Sequence, residues 1–219
     1  MYVAIIGDMV DSRHLQERAK VQEQLRGILQ KLNESLGEKL ASQFTLTLGD
    51  EFQGLFHSAE GVFPALWQLK FQMHPVKIRF GVGLGRMDTA IDPKRSLGSD
   101  GPAYHEARRR IEEVKKGEGG KYLLHRDVLV GAADCAQSLR ALNAGLTLLH
   151  GMECRWTSTQ WQNVSDGLLK GLNQSQIAKM RGIHQSSVQR SFAAAGFYEY
   201  QEGYWAMAAL FEQIWAKCS

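Results

Sequence analysis

Residues 44–56 constrain the fold more than any other stretch of this chain. Phe44-Thr45-Leu46-Thr47-Leu48 alternates apolar and polar side chains, Gly49-Asp50 interrupts it, and an extended pattern resumes from Phe52 to Phe56. Period-two alternation on both sides of a Gly-Asp pair predicts two strands joined as a β-hairpin. Upstream, Tyr2-Val3-Ala4-Ile5-Ile6 is a short apolar run that reads as a buried strand. Leu25, Ile28, Leu29, Leu32 and Leu36 then recur at three- and four-residue steps, which predicts a helix ending near Gly37. Downstream, a second helix is expected over Ala59–Phe71, broken by Pro75, followed by a strand over Val76–Leu84. The order β-α-β-β-α-β predicts an α+β, ferredoxin-like sandwich.

Gly85–Asp100 reads as a long loop with a short strand near Ala90. Pro102–Lys116 reads as a helix and Lys121–Leu124 as another short strand. After about Gly131 the pattern is helical, with a wing-like hairpin expected over Phe197–Met207, around Gly203. The composition shift near residues 126–132 divides the chain into a ferredoxin-like palm domain, 1–130, and an all-α helix-turn-helix domain, 131–219.

The 219 residues are 44% hydrophobic and 22% charged, an ordinary globular balance. A formal charge of +3 is too weak to name a nucleic-acid partner by itself. Cys135, Cys154 and Cys218 are odd in number and far apart, so no disulfide framework or structural zinc site is expected. Met1–Ile6 has no basic leader and stops at Gly7-Asp8, too short for a signal peptide or a membrane span. A cytoplasmic protein without a membrane partner is expected.

Asn173–Ala195 carries a helix-turn-helix pattern. Asn173 or Ser175 can cap a first helix with Ile177, Ala178 and Met180 inward. Small Ala178 allows close approach, Gly182 supplies a left-handed turn residue, and Ile183 and Val188 lock the pair onto a preceding helix over Trp161–Leu172. The second helix, opened by Gln185 or Ser186, carries Val188, Phe192 and Ala195 inward. Outward it shows His184, Gln185, Ser187, Gln189 and Arg190, donors and acceptors suited to base edges and phosphates. Lys179 joins them as a DNA-binding candidate. From Leu168 to Tyr198 there is no Asp or Glu, whereas Lys170, Lys179, Arg181 and Arg190 occur there. Such a stretch suits the phosphate backbone of double-stranded DNA. The competing reading is an ordinary helical hairpin.

Two aspartates carry the other signal. Asp8 ends the first strand in I-I-G-D-M-V-D-S, and Asp50 sits at the hairpin turn in L-T-L-G-D-E-F-Q-G-L-F. In a ferredoxin-like sheet these elements are neighbours, so the two carboxylates can meet. A carboxylate pair takes Mg²⁺ or Mn²⁺ shared with phosphates, with Glu51 and Asp11 as outer members. The alternative is local: Gly-Asp suits a turn, and Asp8 can cap the following helix.

These residues resemble the palm of class III nucleotide cyclases and GGDEF diguanylate cyclases. The match is carried by Asp8, Gly49-Asp50, Arg79-Phe80-Gly81-Val82-Gly83-Leu84-Gly85, and the helix Gly101-Pro102-Ala103-Tyr104-His105-Glu106-Ala107-Arg108-Arg109. It covers roughly residues 1–125. The resemblance implies metal ligands at Asp8 and Asp50 and a phosphate-contacting catalytic Arg109. It also implies room for a purine nucleotide at Gly81 and Gly83, and a homodimer sharing its sites. Three departures weaken cyclic-AMP synthesis as the activity. His105, carried as the second catalytic candidate, stands where cyclases place a ribose-orienting asparagine. Leu46 stands where adenylate cyclases place a base-reading lysine. Met-Val-Asp-Ser, not Ile-x-Gly-Phe-Thr, follows Asp8.

The whole chain resembles the SatD family, through G-D-M-V-D-S-R, G-D-E-F-Q-G-L-F and S-D-G-P-A-Y-x-x-A-R at Ser99–Arg108. Arg108-Arg109-Arg110 with Glu112, Glu113, Lys115 and Lys116 read as a solvated helix face of ion pairs, Arg109 excepted. Three functions stay open. One is a DNA-binding transcriptional regulator with a nucleotide-sensing palm. Another is a metal-dependent nucleotide cyclase or nucleotidyltransferase with a helix-turn-helix control module. The third is a structural palm that dimerises a DNA-binding domain.

Overall fold

The computed structural model describes residues 1–11, 17–47, 49–117, 125–132 and 136–218. The expected strand at Lys121–Leu124 and Cys135 lie outside them. Through residue 85 the elements are β1 (Tyr2–Met9), α1 (Arg18–Leu36), β2 (Leu40–Leu46), β3 (Glu51–Phe56), α2 (Val62–Met73) and β4 (Ile78–Gly85), in the order read from the sequence. They are followed by α3 (Pro102–Gly117), β5 (Val128–Ala132), α4 (Ala136–Glu153), α5 (Ser158–Lys170), α6 (Gln174–Arg181), α7 (Gln185–Ala195) and α8 (Phe197–Cys218). The protein is α+β, with one mixed sheet in the order β2-β3-β1-β4-β5. β1 pairs antiparallel with β3 and β4, and β5 is parallel to β4.

Strand alternation sorts the sheet into two faces. Val3, Ile5 and Met9 of β1 join Phe80, Val82 and Leu84 of β4 in a core closed by α1 and α2. Ala4 and Ile6 point the other way, onto Ala103, Tyr104, Ala107 and Ile111 of α3. The C-terminal helices do not make a separate core. Phe211 of α8 packs edge-on against Phe63 of α2 with ring centroids 5.2 Å apart. Tyr200 Oη accepts a hydrogen bond from Trp67 Nε1 at 2.7 Å. Position 130 falls inside β5, and the described elements after that strand are helices.

Four expectations are corrected here. The wing-like hairpin at Phe197–Met207 is the first half of α8. Phe197, Tyr200, Tyr204, Ala208, Phe211 and Ile214 recur with helical spacing and are all buried, which outweighs the strand preference of the aromatics. No strand forms near Ala90, where the loop instead lies along β2 through Gln43 N–H to Pro93 O at 2.9 Å. Ile183 and Met180, expected inward, are 42% and 52% exposed. Against the expectation of no disulfide framework, Cys218 is disulfide-bonded, while Cys154 keeps a free thiol. No described helix is long and apolar enough to cross a membrane.

Candidate functional site

The cleft begins where α3 stops covering the sheet. α3 packs on β4, β1 and β5, so the same face of β3 and β2 stays open at one end. Asp8, Glu51 and Arg79 are register partners across β1, β3 and β4, which puts all three on this face. Asp8, Asp50, Glu51, Gln53, Arg108 and Lys115 line the resulting cleft of ≈ 750 Å³. The loop residues Leu97–Ser99 form its far wall. That loop is anchored by Gln53, whose carbonyl accepts from Ser96 Oγ at 2.9 Å.

Asp8 is 7% exposed, with Lys115 Nζ 2.8 Å from Oδ2 and Arg79 Nη1 3.5 Å from Oδ1. Burial nevertheless holds its carboxyl above the ordinary range, against the pull of Lys115 and Arg79, and the nearby Asp50 pushes the same way. Asp8 and Asp50 thus share one cleft, since β1 and β3 are neighbours and Asp50 directly precedes β3. Their oxygens suit a hard divalent cation. A cation at Asp8 would meet Lys115 already on one oxygen, so the two charges compete for it.

α3 divides the other candidates by face. Arg108 and Lys115, seven residues apart, lie on the same stripe and reach the cleft. Arg108 Nη1 donates to Glu51 Oε2 at 2.6 Å. His105 and Arg109, four apart, lie on the exposed side and do not line the cleft. His105 Nε2 is 2.8 Å from Asp100 Oδ1, and Arg109 Nη2 donates to Glu106 at 2.7 Å. The seven-residue spacing was the available signal for Arg108 and Lys115. Both read from sequence as members of solvated ion pairs.

Gly81 and Gly83 serve another purpose than the expected one. A Cβ on Gly81 would run into the backbone at Ala107 and Ile111, and one on Gly83 into the backbone at Ala103 and Ala107. They let α3 lie directly on β4 and clear no space for a nucleotide. Alternation on a strand marks one face, and that face is covered by a helix.

A second polar cluster was not read from the sequence. The Lys70 ammonium lies between the carboxylates of Asp127 and Glu153. His150 Nδ1 is 3.3 Å from Asp127 Oδ2 and 3.0 Å from Glu153 Oε2. Tyr200 Oη donates to Glu153 Oε1 at 2.5 Å. Burial opposes charge on His150, but Asp127 and Glu153 outweigh it, and its pKa is pushed up to about 9. Asp127, His150 and Glu153 could hold a metal ion, with ligand atoms within 4.8 Å of one another. Lys70 and protonated His150 already balance the two carboxylates, so electrostatics does not demand a metal. The members are scattered over α2, the residue before β5, and α4, so no local motif signals them.

In the C-terminal helices, α6 carries a capping box: Asn173 Oδ1 accepts from Gln176 N–H at 3.0 Å, and Gln176 Oε1 accepts from Asn173 N–H at 2.9 Å. Gly182, at φ 64°, turns the chain into α7. Ile177, Ala178, Val188, Phe192 and Ala195 are buried. Lys179, His184, Gln185, Gln189 and Arg190 are exposed and Ser187 half-buried. Gln185 Nε2 donates to Gln174 Oε1 at 2.5 Å. Arg181 is withdrawn from this face by Asp166, 2.5 Å away, which also holds Lys170 at 2.7 Å.

Fold and cleft together define an α+β protein with one mixed sheet and a cleft lined by Asp8 of its central strand and Asp50 of the turn before β3. The chain belongs to the SatD family, whose family model matches residues 2–206. No curated protein matches it. Among solved structures it is similar to that of a bacterial light-regulated adenylyl cyclase, at 11% identity and a TM-score of 0.40, covering 59% of this chain and 74% of that one. At that distance no activity or ligand transfers between the two.

Proposed function

We propose that this protein is a DNA-binding transcriptional regulator with a nucleotide- and metal-binding sensor. Residues 1–130 are read as a ferredoxin-like, cyclase-like palm and 131–219 as an all-α helix-turn-helix domain, acting as a cytoplasmic homodimer on double-stranded DNA. The observation that carries the reading is the outer face of α7. His184, Gln189 and Arg190 are exposed beside Lys179, with no ion pair to any described residue. Asp166, two helices away, instead neutralises Lys170 and Arg181. A helix that leaves hydrogen-bonding side chains and cations unspent is suited to the major groove. Selection of bound sequences from a random duplex pool, followed by fluorescence anisotropy, tests it. An enriched motif lost in Arg190→Ala supports the reading; no enrichment at low salt ends it.

A second reading is a metal-dependent nucleotide cyclase or nucleotidyltransferase. Its support is that Asp8 and Asp50 face one cleft with Arg108 and Lys115, cations suited to phosphates. When bound, Mg²⁺ or Mn²⁺ would neutralise phosphate charge there. Purified protein incubated with ATP, GTP, CTP and UTP and either metal should yield a cyclic or linked product that Asp8→Asn abolishes. If nucleotide binds and nothing forms, the cleft is a sensor. If nothing binds, the palm is a scaffold that dimerises the DNA-binding helices.

A further inference from the structure

A second pocket, of ≈ 640 Å³, is lined by Arg79 and shares no lining residue with the cleft. It is bounded by the end of α2, the start of β4, the residues before β5 and the facing ends of α4 and α5. That volume lies within the range of small-molecule sites. One wall is aromatic. The His74 imidazole stacks on the Trp161 indole with centroids 4.5 Å apart and planes 13° apart, and Trp156 meets Trp161 edge-on at 5.2 Å. The opposite character comes from Lys77 and Arg126, which line the pocket and form no ion pair with any described residue. The carboxylates at its floor, Asp127 and Glu153, are already matched by Lys70 and His150. Their charge therefore does little to repel an anion at the rim.

We infer that this pocket binds an anionic ligand with a planar heteroaromatic ring, of the size of a nucleoside monophosphate. The ring lies against the indole and imidazole wall, and the acidic group is held by Lys77 and Arg126. A bare phosphate would leave most of the volume and the aromatic wall unused. The inference is independent of any reading of the Asp8–Asp50 cleft.

Isothermal titration of the full chain with AMP, GMP, CMP and UMP, without metal, tests it, with ribose 5-phosphate as the ringless anion. At least one nucleotide should bind about tenfold or more tighter than ribose 5-phosphate, given the usual strength of base–aromatic stacking. Lys77→Glu and Arg126→Glu should each abolish the binding. Trp161→Leu should weaken it by about tenfold, and Asp50→Asn should leave it intact. Circular dichroism of each variant guards against loss of fold. No binding by any of the four nucleotides, or equal binding of ribose 5-phosphate, would overturn the inference. So would binding lost in Asp50→Asn but kept in Lys77→Glu, which assigns the ligand to the cleft.

Discussion

Lys115 Nζ lies 2.8 Å from Asp8 Oδ2, so the end of α3 places a cation on the carboxylate that ends the central strand. Even so, burial leaves Asp8 harder to ionise than a free aspartate. A raised carboxyl pKa means that the folded state holds the proton more tightly than the unfolded chain. Its stabilising contribution is complete at low pH and is lost as pH rises from the ordinary value through the folded one. At neutral pH the Asp8 carboxylate is therefore a local cost, which suits a group retained for its chemistry.

Asp8→Asn should accordingly leave stability at pH 7.5 unchanged or raise it, by no more than about 1 kcal/mol. The same variant should lose Mn²⁺ binding in an equilibrium titration. Lys115→Met, which removes the competing ammonium, should bind Mn²⁺ more tightly than wild type. Weaker binding there would show that Lys115 helps hold the bound species and does not compete with the ion.

The Lys70 cluster should dominate the pH dependence of folding. Burial would raise the Asp127 pKa, but Lys70 and His150 outweigh it and hold it below the ordinary carboxylate range. Its contribution is full above the unfolded aspartate value and falls away as pH drops through the lower folded value. His150 runs in the opposite sense, with its contribution full below its ordinary 6.5 and lost as pH rises through about 9. Thermal unfolding followed by circular dichroism should give a Tm plateau bounded by these two limbs. His150→Gln should flatten the alkaline limb and leave the acid limb in place.

Lys70→Met should cost roughly 3–5 kcal/mol, because it leaves two buried carboxylates with only the His150 imidazolium to offset them. Chemical denaturation measures it. Adding Glu153→Gln and Asp127→Asn to Lys70→Met should restore part of the loss. A triple variant no more stable than the single one would show that packing, not charge, sets the cost.

Gly83→Ala should destabilise the fold by about 1–3 kcal/mol or more, since the new methyl meets the α3 backbone, which cannot swing aside as a side chain can. Gly27→Ala is the contrasting case: its Cβ would meet nothing, and in the middle of α1 it should stabilise by about 0.5–1 kcal/mol. Urea midpoints of the two variants on opposite sides of wild type check the pair.

On α7, Gln189→Ala and Arg190→Ala should each weaken specific DNA binding by about 1–3 kcal/mol if they reach base edges. Lys179→Ala should weaken binding to all sequences alike and lower the salt slope by about one. Anisotropy titrations across a salt series separate the two behaviours. Unaltered affinity in all three variants would remove α7 from the interface.

Local sequence determined what depends on neighbours along the chain. The alternation around Gly49-Asp50, the stripe from Leu25 to Leu36 and the Asn173–Gln176 capping pair set a hairpin, a helix and a helix start, because these patterns act within a few residues. They also put Asp8 and Asp50 at strand ends that a β-α-β-β-α-β order brings together. The tertiary structure decided which face each side chain meets. It turned Arg108 into the cleft and Arg109 away from it, and it gave the α3 side of β4 to a helix, so Gly81 and Gly83 serve packing. It also gathered Lys70, Asp127, His150 and Glu153 from three separate segments. The aromatics of Phe197–Met207 fit a strand by composition, and their burial in α8 depends on the α2 and α4 surfaces they pack against. A helix face or a buried charge takes its meaning from what covers it, and that partner lies far away in the chain.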